Sequence, residues 1–511
     1  MINLQEVYQK SEQETKVYLV LLALALTVVI ASVVFVSPLA TLAAVIGLIF
    51  VILSFYRPTW TLAFLAIYLP FEPFLLKWVP DDIYLFARYF SEVLIYVLVI
   101  VLAWRFLAKQ IKRRTSPIDF PLVLFLIVLA SSILINLVPP TIAILGARQI
   151  LRFILVFFLV FYFAPSKAFI KKLTLIMFVI MLFQCGLGLF QAGSGGLIDS
   201  YLLPSETRTY ADIQLKSGVE QFWDPGSRVF ATMGRYDRLG TFIAFFLLLA
   251  TGLIYENKLR KKHPGLYWLF VLAIPTLVLT YSRSSWFGFL FGFLFIAMLI
   301  KRDKRVMIGV AGFAIVVASY LAYSGLVVRY LVDVPQQTVS ERFFEAFSYE
   351  RWRGEYYGLG RLYWIVQTPT VVVPASPFFG FGPGQFGAGA AAALGNATVY
   401  EELGLPFGVY GTDGYIDNNW MSLWGETGTL GLIFYLAMFA ALFRYSYRLY
   451  QKSDDPYVRG LAIGYCAALL AVSLNAFLAT FLEVRTLAYY LWLYGGLIVV
   501  LGEKEHLKLG T

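Results

Sequence analysis

The chain of 511 residues is 59% hydrophobic and only 14% charged, with a mean hydropathy of +0.73. That composition excludes a soluble globular domain, because apolar stretches of about 20 residues recur at a length that spans a bilayer. The formal net charge of +10 lies mostly in short basic runs between those stretches, as expected of a membrane protein facing anionic lipids, and carries no argument for nucleic acid.

The chain therefore reads as an all-α polytopic integral membrane protein with about 14 transmembrane helices. The spans are predicted to begin near Val17, Leu39, Thr59, Phe86, Phe120, Gly146, Ala168, Leu239, Gly265, Ser284, Val306, Asn418, Gly460 and Thr486. The polar segment Met1 to Lys16 ahead of a long first span reads as an uncleaved signal anchor. The run Lys109, Lys112, Arg113 and Arg114 after the fourth span marks the cytoplasmic side. Strict alternation then puts Lys167/Lys171/Lys172, Lys258/Arg260/Lys261/Lys262, Lys301/Arg302/Lys304/Arg305, Arg444/Arg448/Lys452/Arg459 and both termini on that same side. Five segments result: 1–192 with seven spans, a first outer loop 193–238, spans 239–330, a large partly helical outer loop 331–417, and spans with a cytoplasmic tail at 418–511.

On this topology nearly all lysines are cytoplasmic, whereas more than half of the arginines lie outside, where the positive-inside rule predicts few. Charge alone would serve topology, but a planar guanidinium fork matches phosphate and carboxylate oxygens, so the bias points to a phosphorylated or acidic ligand on the outer face. The alternative is that Arg329, Arg342, Arg351 and Arg353 pair with the loop acids Glu341, Glu345, Glu350 and Glu355. Cys185 and Cys466 fall mid-span, which leaves no outer disulfide or thiolate cluster, and His263 and His506 fall inside, so no histidine serves the outer face. No metal ligand set and no cofactor motif is read, and the Asn396-Ala-Thr398 sequon decides nothing.

Arg148 and Arg152, four apart at the outer start of the sixth span, share a helix face; Arg148 fits a snorkelling anchor, while Arg152 fits the lining of a cavity. The first outer loop ends in Arg228-Val-Phe-Ala-Thr-Met-Gly-Arg235-Tyr-Asp237-Arg238-Leu-Gly240. Arg283 lies in a hairpin too short to be a loop, Thr280-Tyr-Ser-Arg-Ser-Ser-Trp286, with no local carboxylate. The second outer loop carries Arg361-Leu-Tyr-Trp364, then Pro377-Phe-Phe-Gly380-Phe-Gly382-Pro-Gly384, and closes in Asp417-Asn418-Asn419 ahead of Glu426-Thr-Gly428. Its glycines permit sharp turns or close backbone approach, and no Lys-Ser/Thr of a nucleotide P-loop follows them. Asp417 and Asn418 stand where a helix N-cap is wanted.

The order of these pieces, from Arg228 to Gly431, resembles the O-antigen ligase and polymerase family of bacterial envelope glycan assembly. The resemblance rests on Arg228 with Gly234 and Leu239-Gly240, Ser282-Arg283 before Trp286, Arg361 with Trp364 and Gly380-Phe-Gly382, and Asn418 with Glu426-Thr-Gly428. It implies a GT-C-like membrane glycosyltransferase of the bacterial inner membrane. Such an enzyme moves a glycan from an undecaprenyl diphosphate carrier to an acceptor sugar hydroxyl on the periplasmic face. It further implies that Arg228, Arg283 and Arg361 bind the diphosphate and that transfer is inverting; the residues read by themselves add Arg238 and Arg152 to the diphosphate site and fit chemistry without a metal. The family's ligases have His-Asn where this chain has Asp417-Asn418, so polymerase is favoured slightly over ligase. Asp417 is then the first candidate for the base and Asp237 the second. Donor glycan, glycan or lipid acceptor and membrane lipids are the partners so implied. A transporter or flippase of an anionic lipid-linked or small solute is one alternative, and an inert glycan-binding scaffold another.

Overall fold

In the computed structural model the described residues are 27, 38–204, 209–210, 213–214, 224–256, 265–332, 337–387, 389–408 and 418–505. The expected span near Val17 and the base candidate Asp417 lie outside them. Among the described residues the regular structure is helical apart from a two-residue antiparallel pair, β1 (Thr209–Tyr210) with β2 (Ile213–Gln214).

Two compact units form. The first, residues 1–113 with 204–216, contains α1 (Pro38–Tyr56), α2 (Pro58–Tyr68), α3 (Glu72–Lys77) and α4 (Asp81–Leu107). The second, 114–203 with 217–511, contains α5 (Asp119–Ile135), α6 (Pro140–Leu151), α7 (Ile154–Phe163), α8 (Lys167–Gly193) and α9 (Asp199–Leu202). It continues with α10 (Tyr236–Ile254), α11 (Leu266–Leu279), α12 (Arg283–Leu294) and α13 (Lys304–Arg329). Six short helices of the large loop follow: α14 (Val339–Phe344), α15 (Tyr349–Tyr357), α16 (Arg361–Gln367), α17 (Val373–Ala375), α18 (Ala390–Leu394) and α19 (Thr398–Glu402). The unit ends with α20 (Asn419–Lys452), α21 (Pro456–Asn475) and α22 (Arg485–Lys504).

A helix begins close to every expected start from Leu39 onward. Eight are long and apolar enough to cross a bilayer, or nine if α6 and α7, bent by 54° at Arg152-Phe153, make one span; the expected fourteen is not reached among the described residues. The segment from Thr59 shows one reason. Pro70 and Pro73 interrupt it after α2, whose 11 residues rise only about 17 Å against a hydrocarbon core of about 30 Å.

Within the second unit α10, α21 and α22 form the interior, and α13 stands outermost with none of its apolar window buried. Small residues let the inner helices meet. A Cβ on Gly252 of α10 would lie 2.1 Å from the Gly460 carbonyl oxygen of α21, so only glycine allows that backbone contact. Helix starts follow capping chemistry: Asp455 accepts the Tyr457 and Val458 amides ahead of Pro456, and Ser166 accepts that of Phe169.

Candidate active site

The large loop builds a cluster of arginines around two buried carboxylates. Thr338 and Glu341 close a capping box at the start of α14, and Ser348 caps α15 while donating to the Leu331 carbonyl at 2.6 Å. These caps set the pitch of the intervening turn, on which Glu345 is fully buried. Its Oε1 lies 2.8 Å from Arg283 Nη1 and 3.2 Å from Arg351 Nε, ion pairs in which it accepts no hydrogen bond, and its Oε2 accepts from Arg342 Nη1 at 3.0 Å. Glu355, also buried, pairs with Arg351, takes the Arg361 amide on Oε2 at 3.0 Å and has Arg361 Nη1 at 4.0 Å. Arg283 and Arg361, far apart in sequence, are thus joined through Glu345, Arg351 and Glu355. Burying such charges costs several kcal/mol per ion, which three guanidinium groups around Glu345 and the Arg342 hydrogen bond to its Oε2 offset in part. Loop pairing therefore holds for Arg342, Arg351 and, through Glu350 at 3.5 Å, Arg353. For Arg283 the partner comes from the loop rather than from its own hairpin.

The segment from Arg228 to Gly240 is fixed to the same hairpin. The Val229 amide donates to the Leu279 carbonyl at 3.2 Å, and a Cβ on Gly240 would lie 2.5 Å from Ser285 Oγ, so α10 and α12 touch beside Arg283. Arg342 Nε in turn donates to the Tyr281 carbonyl at 3.3 Å, docking α14 on the hairpin. Arg228 lies 4.4 Å from the centre of the Tyr236 ring, a cation–π contact. Arg235 grips Asp237 with Nε at 3.1 Å and Nη2 at 3.2 Å, while Asp237 Oδ1 accepts the Arg238 amide at 3.0 Å. The second base candidate is therefore held in a bidentate ion pair.

The Gly-Phe-Gly segment and Glu426-Thr-Gly428 form one structure. Phe381 donates to the Gly425 carbonyl and Gly382 to that of Glu426, each at 2.9 Å, and the buried Glu426 carboxylate accepts the Gly384 amide at 2.7 Å. Gly428 sits inside α20 at φ 66° and ψ −174°, which breaks the helix and turns its amides toward residues 377–379.

A third group lies where α20 begins. Asn418 Oδ1 accepts the Met421 amide at 3.0 Å and caps the helix. Asn419 Nδ2 donates to Glu483 Oε1 at 3.1 Å, Gln149 Nε2 donates to Oε2 at 2.8 Å, and Arg152 Nη2 donates to the Glu483 carbonyl at 2.8 Å. Arg152, 8% exposed, lies 4.6 Å from the Phe153 ring and belongs to this group rather than to the Glu345 cluster. Glu483 lies between spans, and burial pushes its carboxyl above the usual carboxylate range, with Gln149, Arg152 and Asn419 opposing. Sequence reasoning passed over Glu483; its one signal was a lone acid, Phe-Leu-Glu483-Val-Arg485, in a short linker between two spans. Among the described residues no group of three or more His, Cys, Asp and Glu could hold a metal ion.

Residues 268–436, the stretch that carries the Glu345 cluster, the Gly-Phe-Gly segment and the start of α20, match the family model of O-antigen ligase. This part of the chain is an O-antigen ligase family domain. No curated protein matches the chain. The match indicates a membrane enzyme of the O-antigen ligase or polymerase type, a family for which lipid-linked glycans are the implied substrate class. Arg283, Arg361, Glu345, Asn418 and Glu426 lie within the O-antigen ligase domain; Arg152, Arg228, Asp237, Arg238 and Glu483 lie outside it.

Proposed function

We propose that the protein transfers a glycan from a polyprenyl diphosphate carrier to a sugar hydroxyl at the outer face of the bacterial inner membrane. The observation that carries the reading is the convergence of Arg283 and Arg361 on Glu345 and Glu355, within the O-antigen ligase domain. Guanidinium groups preorganised by protein carboxylates do not have to be reoriented when negative charge grows on a departing diphosphate. Arg342 and Arg351 hold that frame. Arg228 and Arg238 complete it from the segment hydrogen-bonded to the same hairpin. Arg152 supports the site from the Glu483 side. Transfer in one step, with attack opposite the diphosphate, inverts the anomeric centre. Polymerase is favoured slightly over ligase because Asp417 stands where the ligases have histidine.

The test is consumption of a lipid-linked glycan by the purified full chain in lipid, with gel analysis separating chain growth from single transfer to a lipid acceptor. Arg283→Lys keeps the charge but loses the two-pronged geometry. Its turnover should fall by ~100-fold or more, the scale of one lost transition-state donor, at unchanged protein level. Near-wild-type turnover would reduce Arg283 to a source of positive potential, and no donor consumption by the wild type would refute the reading.

A further inference from the structure

We infer that Glu483 receives the proton of the acceptor hydroxyl during transfer, an inference that rests on the glycan-transfer reading above. The outer face offers no histidine in the sequence, and Asp237 is occupied by the Arg235 fork. Glu483 differs in how it is held. Each carboxylate oxygen takes one neutral amide donor, Gln149 Nε2 on Oε2 and Asn419 Nδ2 on Oε1, and a carboxylate oxygen has room for a second. Asn419 cannot turn over without loss, because its Oδ1 accepts the Leu482 amide at 2.8 Å, which points its Nδ2 at Glu483. Neutral donors orient the carboxylate while weakening its basicity less than a guanidinium fork does.

The placement agrees. The linker carrying Glu483 starts beside Asn475, on which Gly288 of α12 packs, so it emerges at the same end of the bundle as Arg283. The linker is laced to the α20 cap by Asn418 Nδ2, which donates to the Phe477 carbonyl at 3.0 Å. The glycine-rich loop closes over the carboxylate at Gly389, φ 66°, where a Cβ would lie 2.5 Å from Glu483 Oε2. Taken over the whole residue, Glu483 keeps some exposed surface. Charged or titratable groups that face it include Arg152 at the α6–α7 bend and Glu426 and Tyr435 of α20.

In the step itself the acceptor hydroxyl oxygen forms a bond to the anomeric carbon as the bond from that carbon to the diphosphate oxygen breaks, its electron pair leaving with the diphosphate. The hydroxyl proton passes to Glu483 and from there to water. A carboxyl raised by burial is a better base at neutral pH than an ordinary one. Only the ionised form accepts a proton, so the rate should fall as pH drops through the raised pKa.

The experiment uses the full chain in lipid with a polyprenyl diphosphate-linked glycan and its acceptor. It measures donor affinity, thermal midpoint and kcat against pH for the wild type, Glu483→Gln and Glu483→Asp. Glu483→Gln should keep donor affinity and lose ~100- to 10,000-fold in kcat, the usual contribution of a positioned base, and its residual rate should lack the acid limb. A glutamine variant within about threefold of wild type, with the same pH profile, would overturn the inference and leave the glycan-transfer reading standing. Should Glu483→Gln fail to fold, Glu483→Asp decides: a displaced acid limb supports the role and an unmoved one overturns it. A wild type that consumes no lipid-linked glycan would take down the glycan-transfer reading, and this inference with it.

Discussion

Asn418 takes the N-cap of α20 with its side-chain oxygen on the Met421 amide, and this changes what can be asked of Asp417. Capping and base catalysis were competing readings for Asp417, and the cap is filled by its neighbour. Replacement of Asp417 by Asn should leave the thermal midpoint unchanged, where loss of a cap would cost about 0.5 to 2 kcal/mol. With Glu483 taking the proton, Asp417→Asn should also transfer within a few-fold of wild type, measured as donor consumption by the purified variant. A hundredfold loss with intact stability would return the role to Asp417 and remove it from Glu483. The arginines and acids of the long loop were legible in the sequence. What could not be read is that one carboxylate, Glu345, would bind three arginines, because the Arg283 partner lies 62 positions along the chain (345 − 283). Pairing at that separation is set by tertiary packing and leaves no periodic trace.

Gly428 shows the same division between legible and hidden at the level of an element. A helix from Asn419 to Lys452 follows from its apolar run, but the break inside it follows from contact with residues 377–379, reached only in the fold. The Pro377 and Phe378 carbonyls accept the Thr429 and Leu430 amides at 2.9 and 3.3 Å, bonds that a continuous helix would have kept for itself. A Cβ at Gly428 would lie 2.4 Å from the Phe378 main-chain carbon. Gly428→Ala should therefore cost on the order of 1 to 3 kcal/mol from left-handed backbone strain alone. More is added by displacement of the Gly-Phe-Gly segment. The expected result is a lower thermal midpoint together with reduced transfer; an alanine variant as stable as wild type would show that the two segments part without penalty. Proline supplied the opposite lesson at α2, where Pro70 and Pro73 were in plain view and an apolar window still read through them as one span.

Across the whole second unit, charge separates to the two ends of the bundle. At one end Arg114 pairs with Glu503, Lys167 with Asp455 and Glu505 at 2.8 and 3.1 Å, and Lys301 and Arg459 with Glu256 at 2.9 and 3.4 Å. Asp455 shows how firm this end is. Burial would raise its carboxyl, but the Lys167 hydrogen bond and the Val458 and Tyr457 amides outweigh burial and hold it below the usual carboxylate range. Its contribution to stability is present above the unfolded pKa and is lost as pH falls through the folded one. The other end carries Arg283, Arg342, Arg351, Arg361 and Glu483. Lysine mixed with arginine at one end, and arginine with buried carboxylates at the other, is the arrangement expected when topology uses bulk charge and a site uses guanidinium geometry. The lysine end should face the cytoplasm and the arginine end the outer face. Cysteine placed at Ser217 or Thr398, one in each long loop, should react with a membrane-impermeant reagent from outside. Cysteine at Lys171, beside Lys167, should react only after the membrane is opened. Background is low because Cys185 and Cys466 are both buried. Labelling of either loop position from the cytoplasmic side alone would move the arginine cluster to the wrong face for a periplasmic transfer and defeat the proposed reaction.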